Sequence, residues 1–166
     1  MIASPGSLKL LYPRFSEVHK EFKKQLRKFP SSQIDPMVFA LNQKYTGLID
    51  CKSCANCCKT LEPGMTGIEA DTLVQLSNDP NSFANNYISR EPSGICYLKA
   101  KPCFFLQENL CKIYSQRPQS CADYPHLTKS NFKYQRSVWE SVSLCPIVFN
   151  VVEELRTTLL ENPLQP

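Results

Sequence analysis

Five glycines, two histidines and one tryptophan are all that a chain of 166 residues contains of those types. With so little glycine there is no Gly-rich run of the kind that cradles phosphates, which removes the common nucleotide-binding loops. His19 and His126 stand apart in no recognisable catalytic context, and no paired catalytic carboxylates appear, so a cysteine nucleophile with a histidine base finds little support. No apolar run approaches the roughly 20 residues that cross a bilayer. The opening Met1-Ile2-Ala3-Ser4-Pro5-Gly6 has neither the charged start nor the apolar stretch of a signal peptide. The expectation is a soluble, cytoplasmic protein without membrane contact, in a compartment that keeps thiols reduced.

Against those shortages stand nine cysteines. Four fall within residues 51–58, Cys-Lys-Ser-Cys-Ala-Asn-Cys-Cys, and five follow at Cys96, Cys103, Cys111, Cys121 and Cys145. A chain of this length buries a core without covalent staples, so the usual reason for many cysteines in a small secreted domain is weak. Disulfides would also leave a ninth cysteine over. The formal net charge of +4 counts every thiol as neutral. Eight thiolates around two Zn²⁺ ions would bring it to zero, so the basic balance gives no argument for a nucleic-acid partner.

Around the cysteines the pattern is mainly helical. Residues 1–13, with Pro5, Gly6 and Pro13, read as an irregular lead-in. Over 14–29, Phe15, Val18, Phe22, Leu26 and Phe29 form an apolar stripe with lysines and arginines between them, an amphipathic helix whose basic face over 14–28 is read first as solvated and otherwise as attaching to an acidic protein partner or RNA. Asp35-Pro36 predicts a second helix over 36–46, closed by Gly47, with Met37, Val38, Leu41 and Tyr45 inward. The capping-box spacing of Thr66 and Glu69 starts a helix to about Ser77 with Ile68, Leu73 and Leu76 buried. A further short helix follows over 82–89. From 95 to 114 short apolar runs broken by Pro102 and Glu108-Asn109 suggest small strands in a hairpin. Residues 132–144 alternate loosely and suggest a strand or extended loop. Pro146 opens a C-terminal helix with Ile147, Val148, Val151, Val152, Leu155 and Leu159 on one broad face. The fold class expected is α+β, mainly helical, with an irregular cysteine-rich centre. Its segments are an N-terminal helical part (1–47), a cysteine-cluster domain closed by a helix (48–160) and a tail (161–166).

A Cys-x2-Cys turn brings two sulfurs to the same side of a loop, where they converge on one ion. Cys51, Cys54 and Cys57 repeat that spacing twice, and Cys145-Pro146 offers the remote Cys-Pro that completes such a run in bacterial ferredoxins. Cys58, next to Cys57, should point elsewhere and suits a second site with Cys103, Cys111 and Cys121. One polynuclear cluster sharing ligands fits the spacing nearly as well. Thiolate sets of this kind take zinc or iron, including an iron–sulfur cluster. Cys96 is expected to be a core thiol. His126 is expected to support the site rather than ligate, and Arg117, before the rigid Pro118, to stabilise a turn.

The run over 51–58, then Pro102-Cys103-Phe104-Phe105-Leu106, Cys111-Lys112-Ile113-Tyr114, Arg117-Pro118, Cys121, Tyr124-Pro125 and Cys145-Pro146, resembles the YkgJ-type cysteine cluster family of zinc- or iron-chelating domains. The resemblance covers roughly residues 45–155. It implies metal chelation by eight motif cysteines, here Cys51, Cys54, Cys57, Cys58, Cys103, Cys111, Cys121 and Cys145. The family usually places an arginine after the cysteine matching Cys121, where this chain has Ala122. Similar domains occur in proteins resembling flagellin lysine N-methylase, which implies as alternatives an iron–sulfur redox or methyl-transfer enzyme component. A metal-handling or partner-docking module is a third. The activity expected is metal binding at one or two sites, and no catalytic residues are assigned.

Overall fold

In the computed structural model, which describes residues 1–161, ten helices and five short strands follow one another among the described residues. They run α1 (Pro5–Leu11), α2 (Ser16–Leu26), α3 (Ser31–Leu48), α4 (Cys51–Cys54), α5 (Asn56–Thr60), β1 (Gly64–Met65), α6 (Gly67–Gln75), α7 (Pro80–Tyr87), β2 (Ile88–Arg90), β3 (Cys96–Leu98), β4 (Leu106–Gln107), β5 (Leu110–Cys111), α8 (Gln119–Ala122), α9 (Arg136–Ser141) and α10 (Pro146–Glu161). Helix predominates and the strands are brief, so the class is α+β and mainly helical. From Asn162 on, the expected tail lies outside the described residues. The chain divides into two compact units, one holding residues 1–54 with those from Pro125 onward, the other Ala55–Tyr124.

The first unit is a helical assembly in which α3 packs along α10. Residues 146–152 of α10 are all buried, followed by Leu155 and Leu159. That continuous apolar run at the helix start is what a central helix requires. Ile34, Val38 and Tyr45 of α3 are buried in the same unit. Several polar groups drawn into this core are paired, which offsets the cost of burying them. Asp35 is one of them. Its carboxylate accepts the amides of Asn131 at 2.7 Å and Phe132 at 3.1 Å, rather than capping a helix start. The helix begins at Ser31, earlier than the expected 36, and runs through Pro36. Lys133 is buried and donates to the carbonyls of Arg27 and Phe29, which satisfies the end of α2. His19 meets Glu153 at 2.6 Å.

Three expectations fail here for local reasons. Pro5 stands at the first position of α1, and the Ser4 side chain accepts the Ser7 amide, so residues that look like helix breakers are a helix start. In α2 the buried positions are His19, Phe22 and Leu26, while Val18 is exposed. The stripe thus uses the i+4 step from Phe15 to a histidine instead of the i+3 step to a valine. Residues 132–144 form no strand: a 3-10 turn over Phe132–Tyr134, entered through a left-handed Asn131, leads into α9. Val138 and Trp139 bury themselves at helical spacing there.

The second unit is built around a three-stranded antiparallel sheet in the order β1-β3-β2, with β4 and β5 as a separate hairpin. Its core holds Met65, Ala70, Leu73, Phe83, Leu98 and Phe105. Thr66 and Glu69 make the full capping box at the start of α6. Ile68, expected inside, is 82% exposed, because the buried face of α6 runs through Ala70 and Leu73. Asp79 caps α7 through the Ser82 amide. Gly94, at φ +83°, closes the turn between β2 and β3, a backbone region that favours glycine. Glu108 and Asn109 both take positive φ and form the two-residue turn of the β4–β5 hairpin.

Candidate metal centre

Asp50 prepares the first pair of cysteines. Its carboxylate accepts the Lys52 amide at 2.9 Å and its carbonyl the Cys54 amide at 3.2 Å, which winds Cys51–Cys54 into the single turn α4. Cys51 is exposed and Cys54 half-buried. In the same unit Cys145 stands immediately before α10, with Pro146 as the first helical residue. Its sulfur receives the amides of Ile147 and Val148, the unsatisfied donors of a helix start. Burial nonetheless pushes its thiol up to about 11, and the charges of Cys51 and Cys54 push in the same direction. These three cysteines therefore feel one another within the first unit.

The second unit gathers the remaining motif cysteines. Ala55 adopts a left-handed conformation and separates α4 from α5. Helix α5 then carries Cys57 and Cys58, whose sulfurs lie 3.9 Å apart. This corrects the expectation that vicinal cysteines point in different directions. Successive helical Cα–Cβ bonds diverge, but one χ1 rotation is enough to bring two short thiols back together. The Cys103 amide donates to the Cys58 carbonyl at 2.7 Å, tying the two loops at the backbone. The amides of Phe105 and Leu106 turn towards the Cys103 sulfur, and that of Ile113 towards Cys111. Cys111 ends the hairpin as the last residue of β5, and the short α8 presents Cys121.

Electrostatics marks Cys58 as the centre of this set. A hydrogen bond from Cys57 stabilises its thiolate; burial opposes, Arg117 and Lys59 assist, and the result is a thiol lowered to about 7. Cys103, Cys111 and Cys121 are shifted upward, by burial first and then by the negative charge of Cys58. Cys121 reaches about 11. Four thiols in one electrostatic neighbourhood, three of them too buried to ionise easily alone, are poor company without a cation. A metal ion placed among them would supply the positive charge that lets several thiolates coexist. The donor set, all soft sulfur with amide donors behind it, fits such an ion. Among the described residues, no three His, Cys, Asp or Glu side chains close into a finished cage. The thiols share a neighbourhood.

Cys96 lies in the core of the second unit at 2% exposure, with the Arg90 guanidinium 3.7 Å from its sulfur. This is the core position expected for it. His19 is occupied by Glu153, and His126, half-buried at φ 65°, lies in the first unit. Two features of the centre were not read from the sequence: the backbone amides aimed at sulfur, which leave no side-chain signature, and the charge Arg117 brings to Cys58 and Cys111. No helix of the described residues is long and apolar enough to cross a membrane.

Residues 50–140, more than half of the chain, match the sequence profile CxxCxxCC, described as "Putative zinc- or iron-chelating domain". Cys145 falls just beyond the matched segment. No curated protein and no solved structure matches the chain significantly.

Proposed function

Since this chain belongs to the CxxCxxCC family of zinc- or iron-chelating domains, we propose that it holds its metal through the thiolates of Cys51, Cys54, Cys57, Cys58, Cys103, Cys111, Cys121 and Cys145. The observation that supports this reading is the thiol set of the second unit, where the Cys57 and Cys58 sulfurs lie 3.9 Å apart and the Cys103 amide donates to the Cys58 carbonyl at 2.7 Å. Cys51, Cys54 and Cys145 form a corresponding group in the first unit. Zinc and ferrous iron both accept such sulfur donors in tetrahedral geometry, so the ligand set alone suits either.

The role that follows is structural. The second unit has short strands, short helices and a small apolar core, and its ligand loops gain their order where thiolates meet an ion. Elemental analysis and a visible spectrum of anaerobically purified protein test the proposal. Near-stoichiometric metal is expected, colourless with zinc or coloured with an iron–sulfur cluster. Protein that is folded yet retains neither zinc nor iron would refute it.

A further inference from the structure

Helix α8, which carries Cys121, is four residues long, and a single turn of helix does not hold itself. The residue before it, the buried Pro118, has no side-chain acceptor with which to cap the turn. The Cys121 and Ala122 amides bond back to the Pro118 carbonyl at 2.9 and 3.0 Å. The first amide of the helix, that of Gln119, is taken from outside: it donates to Oε1 of Glu69 at 2.7 Å, across 50 positions of sequence. The other oxygen of the same carboxylate closes the capping box of α6, where Oε2 accepts the Thr66 amide at 2.8 Å and its hydroxyl at 2.9 Å. One carboxylate thus caps two helices, its own and α8. The Gln119 amide is also the foremost cause that holds the Glu69 carboxyl below the usual carboxylate range, which makes this a charge-assisted bond. Helix α8 packs as well against β1, the strand that leads into Thr66.

We propose that Glu69 is the positioning residue of Cys121: by bonding the first amide of α8 it fixes the turn that presents this thiol to the metal. Both of its oxygens are engaged in caps, so it acts through the backbone of α8 and takes no place among the ligands. The inference rests on the reading of Cys121 as a metal ligand.

The test uses full-length wild type and two pairs of variants, each stripped of metal under anaerobic reducing conditions, reloaded with Zn²⁺ and titrated with a competing chelator. In the first pair, Gln119→Pro removes the amide donor at a helix start after an extended residue, where proline is accommodated, while Gln119→Ala removes only the side chain and its bond to Asp123. In the second, Glu69→Ala removes both caps, while Thr66→Ala removes only the hydroxyl side of the α6 cap. Gln119→Pro should bind Zn²⁺ roughly tenfold more weakly than Gln119→Ala, and Glu69→Ala should fall below Thr66→Ala by a similar factor. Loaded to saturation with Co²⁺, Gln119→Pro should show weaker thiolate-to-metal absorption than Gln119→Ala, a difference that lost fold stability alone does not produce. In a Cys121→Ser background both differences in Zn²⁺ affinity should shrink to within about twofold, because the thiol that Glu69 positions is gone. Should a member of one pair fail to fold, the other pair decides. Equal affinity within the pairs would overturn the proposal. So would differences that persist undiminished beside Cys121→Ser, since Glu69 would then brace the unit and not this thiol. Wild-type protein that takes up no metal would instead strike the metal reading itself, and this inference with it.

Discussion

The two units reach their folds by different means. In the first, α3 and α10 bury a long series of aliphatic side chains, and polar groups such as Asp35, Lys133 and Asn150 are fully engaged inside it. In the second, strands of two or three residues and helices of at most nine surround a much smaller apolar cluster, and five of the nine cysteines sit on its short elements and connections: Cys57 and Cys58 in α5, Cys121 in α8, Cys111 at the end of β5 and Cys103 in a connecting segment. Apolar burial at about 25 cal/mol per Å² suffices for helices that hide a whole face. If the proposed ligation holds, the order of the segments that present thiols depends on what the thiols hold. The comparison teaches that metal and core need not be interchangeable within one chain.

Breaking the second unit should need only sulfur. Cys103→Ser removes a proposed ligand and should lower metal affinity by on the order of 100-fold, measured by chelator competition. Cys96→Ala, in the core beside Arg90, should leave the metal content unchanged. The first unit should instead break through its aliphatic core. Leu155→Ala in α10, fully buried, should cost about 2–5 kcal/mol in denaturant unfolding, with metal stoichiometry intact.

Acid should sharpen the contrast with a smaller effect. Burial pushes the Glu153 carboxyl up, but hydrogen bonds from His19 and Arg156 hold it down, to about 2. A folded value below the ordinary 4.5 means that this contribution is fully present above pH 4.5 and is lost as pH falls towards 2. After allowance for solvent screening it amounts to about 1–2 kcal/mol. Glu153→Gln should flatten the acid limb of a stability-against-pH curve by that amount. The smallest effect expected is that of Thr66→Ala, which removes the capping box of α6 and should cost about 1 kcal/mol in the second unit's melting.

Much of this difference was legible in the sequence, and the misses have physical causes. Ligand spacing is local, so the run over 51–58 and the remote cysteines could be read directly, as could the capping box at Thr66 and the turn at Glu108-Asn109. The broad face of α10 was equally plain, because a helix buried along its first turns carries its own apolar record. What could not be read depends on chain return. Nothing near Asp35 announces that Asn131 and Phe132 will come to its carboxylate, so the residue looked like a helix cap. Val18 looked like core because it is apolar, while the burial of His19 depends on Glu153, far along the chain. The proximity of the Cys57 and Cys58 sulfurs turns on rotamers, on which sequence is silent.

The central claim is that the second unit is ordered by metal held on its thiols, and hydrogen exchange under anaerobic, reducing conditions tests it most directly. Protein is compared before and after a chelator has demonstrably removed the metal. The account predicts that the amides of Cys103, Leu106 and Lys112, bonded within the ligand loops, lose protection, while those along α3 and α10 keep theirs. Unchanged protection of those loop amides in metal-free protein would contradict it.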